Sequence, residues 1–276
     1  MKKRLKKILP ILILLVGLLM ISYPIVSNIY NEKINQKEDL LYSDKIENLD
    51  STSIENELDK CKNYNENLTK EENLKDPFAD GRQESISEEY ESLLNFDGDR
   101  IMGYLKIPVL ETTLPIYHST DESVLQIGVG HLEGSSLPIG GKGTHSVLSA
   151  HNGLLGRKLF ADLDKLIVGD IFTINTLGEK KMYRIDNISV VLPEETAELR
   201  IVDGKDYVTL VTCTPYGENS HRLLVKGSRI NHDNSLEKID RKISSSWQKE
   251  YIDALKIAVP IFLIFVLIKT IKINKN

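Results

Sequence analysis

The chain opens on an apolar run, Ile8 to Val26, that contains no charged residue. At 1.5 Å of helical rise per residue such a run is about 28 Å long, enough to cross a bilayer's hydrocarbon core. Small residues suited to signal-peptide cleavage do not follow it. The next residues are Ser27-Asn28-Ile29-Tyr30-Asn31, so the run reads as a retained anchor. A second apolar run, Ile257 to Ile268, contains Pro260, and extending it back to Tyr251 takes in Asp253 and Lys256. It reads as a short, imperfect second span over 251–268, with a buried helix as the alternative.

Between these runs the pattern changes twice. Residues 31–75 are polar and charged, with Ile54, Leu58, Cys61 and Leu68 at helical spacing. They predict one or two amphipathic helices leading away from the membrane. A turn-rich loop follows at 76–81, Asp-Pro-Phe-Ala-Asp-Gly. Ser87 is placed to cap a short helix reaching Leu94, with Tyr90, Leu93 and Leu94 on one face. From Ile101 onward, short β-branched and aromatic runs alternate with Gly, Pro, Asn and Asp. The predicted strands are Ile101–Ile107, Thr112–Tyr117, His145–Ala150, Asp170–Thr176, Lys181–Leu192, Asp206–Cys213 and His221–Ile230. Seven or eight strands in about 130 residues argue for a mainly β domain, a closed barrel or a sandwich, interrupted by short helices near 123–127, 158–166 and 195–199.

Charge sharpens the membrane reading. Lys2, Lys3, Arg4, Lys6 and Lys7 precede the first run, and Lys269, Lys272 and Lys275 follow the second. Setting those eight aside, 27 basic side chains face 40 acidic ones, a net of −13. The positive-inside bias puts both basic ends, 1–7 and 269–276, in the cytoplasm and the domain between them outside the cell. An acidic ectodomain has the wrong sign for a phosphate backbone, which argues against nucleic acid as a partner. No metal-ligand spacing, P-loop or dinucleotide glycine pattern occurs, so neither a metal nor a cofactor is expected.

The candidate chemistry lies in Thr209–Arg222, TLVTCTPYGENSHR. A thiol is a nucleophile when its thiolate is favoured or a base can take its proton. Cys213 ends a predicted strand, and Pro215, Gly217 and Asn219 turn the chain back, so an antiparallel return brings Arg222 beside it. Arg222 then offers a fixed charge and several N–H donors, unless it is simply a solvated strand-end charge. The other cysteine, Cys61, lies in the helical segment, and a bridge between the two is not expected. His118, His131, His145, His151, His221 and His232 compete for the role of base. His151 is favoured because it sits where an apolar strand meets an Asn-Gly loop. His145 would project from that strand's far end, and His221 should face away from Arg222.

TLVTCTPYGENSHRLLVKG closely resembles the TLxTC signature of sortases, most of all the class C, pilus-assembling type. GHLEGSSLPIGGKGTHSVLSAHNGL resembles the segment around that family's catalytic histidine, and Asp76-Pro77-Phe78 is similar to its lid motif. The resemblance runs from about Tyr64 to Ile230. It departs at Ala150, where Gly is usual, and at Asn152, where Arg or Thr is common. It implies a closed eight-stranded sortase-type barrel over 82–232, flanked by membrane helices. It also implies a triad of Cys213 as nucleophile, His151 as general acid and base, and Arg222 as oxyanion or substrate stabiliser, with no metal or cofactor. The implied partners are pilins bearing an LPxTG-like sorting signal and an acceptor lysine. Alternatives are a housekeeping sortase that anchors proteins to peptidoglycan and a non-catalytic membrane scaffold.

Overall fold

The computed structural model describes residues 2–68, 74–79, 86–96, 98–154, 156–231, 253–260 and 262–264. Helix α1 runs unbroken over Lys2–Glu47, about 69 Å at ideal rise. The apolar run at 8–26 and the first part of the 31–75 segment are one helix, long and apolar enough from Leu12 on to cross a membrane. Helix α2 spans Ser51–Asn67 and starts where Asp50 accepts from the Ser53 backbone N–H at 2.8 Å. Its Ile54, Leu58, Cys61 and Tyr64 pack on the barrel's core cluster. Helix α3, Glu88–Ser92, is capped by Ser87 as expected. The end of the lid loop, 80–81, and residues 251–252, 261 and 265–268 of the second apolar segment fall outside the described residues. Within that segment 253–260 and 262–264 are helical.

Eight strands close a barrel in the order β1-β2-β3-β4-β7-β8-β6-β5. They are β1 (Ile101–Ile107), β2 (Thr112–His118), β3 (Val129–His131), β4 (Thr144–Ser149), β5 (Ile171–Thr176), β6 (Glu179–Val191), β7 (Asp206–Thr214) and β8 (His221–Ile230). A one-turn helix, α4 (Glu122–Leu125), precedes β3. β3 had no counterpart in the sequence pattern. Leu105, Ile116, Leu148, Phe172, Ile174, Tyr183, Leu210 and Val225 fill the interior and are essentially inaccessible. Two pairings are parallel, β2 with β3 and β4 with β7; the rest are antiparallel. The directions place the ends of β1, β4, β6 and β7 at one pole, with the starts of β2, β3, β5 and β8.

Candidate active site

Strand register assembles the site. Cys213 and Arg222 are direct partners in the β7–β8 ladder. Partnered side chains share a face about 5 Å apart, so the thiol and the guanidinium rise together. On the other side, Ser149 of β4 partners Val211 of β7 in a parallel pairing. Two residues further on, His151 comes level with Cys213. The loop is held to the strand there: Thr212 Oγ1 donates to the Ala150 carbonyl at 2.8 Å, and Asn152 Nδ2 donates to the Cys213 carbonyl at 3.1 Å. His151, Cys213 and Arg222 therefore form one row across the β4 loop, β7 and β8. The departure from the family pattern at Asn152 occupies a working position, tying the histidine loop to the nucleophile strand.

The segment at Asp76 lies over this row. Arg222 Nε donates to Asp76 Oδ1 at 2.8 Å and Nη2 to Asp76 Oδ2 at 2.6 Å, a two-pronged ion pair. Both side chains are about nine-tenths buried, so the pair is largely removed from solvent. The Phe78 ring lies 5.3 Å from the Arg222 guanidinium carbon and 5.9 Å from the His151 ring. Leu74 and Phe78 pack into an outer apolar cluster with Leu132, Val147, Leu199, Val211 and Leu224. Residues 74–78 thus fill a groove running along the outside of β4, β7 and β8.

Burial pushes the Cys213 thiol up; Arg222 pulls it down, and the Asp76 carboxylate adds a smaller upward push. In this arrangement the thiol is 7% exposed and held toward its neutral form.

Glu122, at the start of α4, went unrecognised in the sequence. His151 Nε2 lies 3.2 Å from Glu122 Oε1. A carboxylate only accepts, so Nε2 carries the proton and Nδ1 remains for the reaction. Gln126 Nε2 donates to the same oxygen at 3.0 Å and steadies it.

The other histidines do structural work. His145 is buried, with Nδ1 against the Arg200 carbonyl and Nε2 against Thr209 Oγ1. His131 is buried between Tyr90 and the Ser136 carbonyl. His118 is wedged between the Leu93 and Arg100 carbonyls. His221 lies beside Ser220, and His232 falls outside the described residues. Both cysteines are free, and Cys61 is sealed between α2 and the barrel.

Comparison with known proteins bears on the fold and the family. A sortase-domain family model matches residues 105–230. Sortase C of Streptococcus pneumoniae is 37% identical, with a TM-score of 0.66 over 71% of this chain and 97% of that one. The chain belongs to the sortase family. Sortase C1 of Streptococcus agalactiae is 44% identical, with a TM-score of 0.64 over 71% of this chain and all of the other. Sortase C-1 of Actinomyces oris is 44% identical over 64% of this chain and 99% of that one, at a TM-score of 0.60. Among curated sequences, sortase A of Bacillus anthracis is 29% identical over 49% of this chain. Sortase A of Streptococcus agalactiae is 28% identical over 55% of it. This chain spans 63% and 61% of the length of those two relatives.

Proposed function

We propose that this sortase is a class C transpeptidase that polymerises pilins. The row of His151, Cys213 and Arg222 carries the reading. Once the lid opens, Cys213 gives its proton to His151 Nδ1, the thiolate attacks the Thr–Gly carbonyl of an LPxTG-like sorting signal, and Arg222 donates to the oxygen as it becomes negative. The C–N bond breaks, a thioester forms on Cys213, and the leaving glycine amine takes its proton from His151. A lysine ε-amine of a second pilin then attacks the thioester. The new amide forms, its surplus proton passes to His151, and Cys213 leaves as thiolate. The thioester retains the energy of the cleaved bond, so the exchange needs no nucleotide. Glu122 holds the imidazole in one tautomer, and Asn152 holds its loop against β7.

The lid supports the pilus-type reading over a housekeeping role. Asp76 occupies the guanidinium that substrate would need, and Phe78 lies against the histidine, so a resting enzyme is closed. The solved relatives at 37–44% identity are sortases C, and pilin substrate specificity is a studied property of the pneumococcal one. The catalytic domain stands outside the cell on the α1 anchor. Incubating the protein with pilins that carry such a signal should give covalent ladders that survive boiling in detergent. Cys213→Ala should give none; ladders from that variant would overturn the mechanism.

A further inference from the structure

The anchor helix and the active site meet. α1 leaves its apolar stretch at Val26, and on the next turns Ser27 Oγ and Asn31 Nδ2 both donate to the Gly156 carbonyl, at 3.0 and 2.9 Å. Gly156 lies in the loop that carries His151. A Cβ added there would come within 2.8 Å of Ser27 Oγ and 3.4 Å of the Tyr23 ring, so helix and loop touch closely. One turn on, Glu32 and Asn35 bind the backbone of Thr113 at the start of β2, still at the active-site pole. Only then does α1 cross the barrel. Tyr42 bonds the Met102 carbonyl and the Leu177 N–H, and Ile46 meets Gly178, all at the opposite pole. The helix therefore enters the ectodomain at the catalytic end and runs away from the membrane.

The barrel surface has the same polarity. Large exposed apolar side chains gather at the active-site pole: Ile127, Leu154, Ile167, Val168, Leu192 and Tyr216. They sit in the loops before β3 and β5 and after β4, β6 and β7. At the other pole Val202 is exposed before β7. The loops there carry charge of both signs, Lys33 exposed and Arg157 half-buried beside the α1 junction, and Glu111, Asp164 and Glu218 exposed. Apolar tips continuous with a membrane-crossing helix suit a bilayer interface.

We infer that the active-site pole rests on the membrane, its apolar loop tips entering the headgroup region around α1. The inference builds on α1 being a membrane anchor. It places Cys213 at the bilayer surface.

The test uses the full chain in vesicles of mixed zwitterionic and anionic lipid, with Trp247→Phe removing the native fluorophore. Single tryptophans are placed by Leu154→Trp, Val168→Trp, Val202→Trp and Met20→Trp, and emission is compared in ordinary and brominated lipid. Met20→Trp should be quenched by bromine deep in the acyl region, and Leu154→Trp and Val168→Trp by bromine near the headgroups. Val202→Trp should be unaffected. Quenched Met20→Trp with unquenched Leu154→Trp and Val168→Trp would overturn the surface contact and leave the anchor intact. Unquenched Met20→Trp would overturn the anchor, and the surface contact with it.

Discussion

In the proposed mechanism Glu122 acts on the reaction through His151, at 3.2 Å from Nε2 and mostly solvent-exposed itself. An exposed pair of this kind is worth about 0.2–1 kcal/mol, so its loss should slow turnover by up to about fivefold. Glu122→Ala should lower kcat with KM unchanged, and Glu122→Gln, which keeps an acceptor oxygen, should recover much of it. Equal losses in both variants, or a loss confined to KM, would remove the positioning role. His145 illustrates the opposite fate of a histidine. Burial pushes its pKa down to about 4, while in the unfolded chain it returns to about 6.5. Between those values the unfolded state binds the extra proton, so stability falls as pH drops from about 6.5 towards 4. His145→Gln should narrow the difference in melting temperature between pH 7 and pH 5; an unchanged difference would contradict that. The cysteine, the arginine and the favoured histidine were legible as residues because each stands at a strand end beside a turn. Glu122 was not, because its approach to His151 depends on where the β2–β3 crossover sets α4.

At the scale of elements, the strands were readable from β-branched runs, while their partners were not. β3 is three residues, Val-Gly-His, too short to give an alternation. The parallel join of β4 to β7 links residues about sixty apart and has no local signature. The continuity of α1 was hidden for a different reason. Its inner face beyond Val26 meets the barrel through Ser27, Asn31, Glu32, Asn35 and Tyr42, using side-chain hydrogen bonds to backbone. Apolar periodicity has nothing to report there. In the proposed function the segment at Asp76–Phe78 must move to admit substrate. Replacing both Asp76 and Phe78 by alanine removes an upward push on the thiol and eases the burial that causes most of its shift, while Arg222 still favours the thiolate. Alkylation of Cys213 should therefore become faster in the double variant, and its pH midpoint should move down. An unchanged rate and midpoint would show that the segment does not cover the thiol.

For the molecule as a whole, the barrel has a working end and a structural end. One ladder pair, Cys213 with Arg222, and the loop leaving β4 at His151 make one row, the segment at Asp76 packs over it, and α1 arrives beside the same loop. The fold class and the membrane anchor could be read from patterning, and resemblance to a known family supplied the site's roles. The polarity of the barrel could not be read, because it depends on long-range pairing and on where a helix docks. The central claim, covalent acyl transfer through Cys213, is tested most directly by mass spectrometry of the intact protein. The Asp76→Ala, Phe78→Ala variant would be mixed with a peptide bearing an LPxTG-type signal. The mechanism predicts a mass gain equal to the peptide up to its threonine, located on Cys213, discharged by a lysine amine and absent in Cys213→Ala. Peptide cleavage that leaves Cys213 unmodified, or that persists in Cys213→Ala, would contradict it.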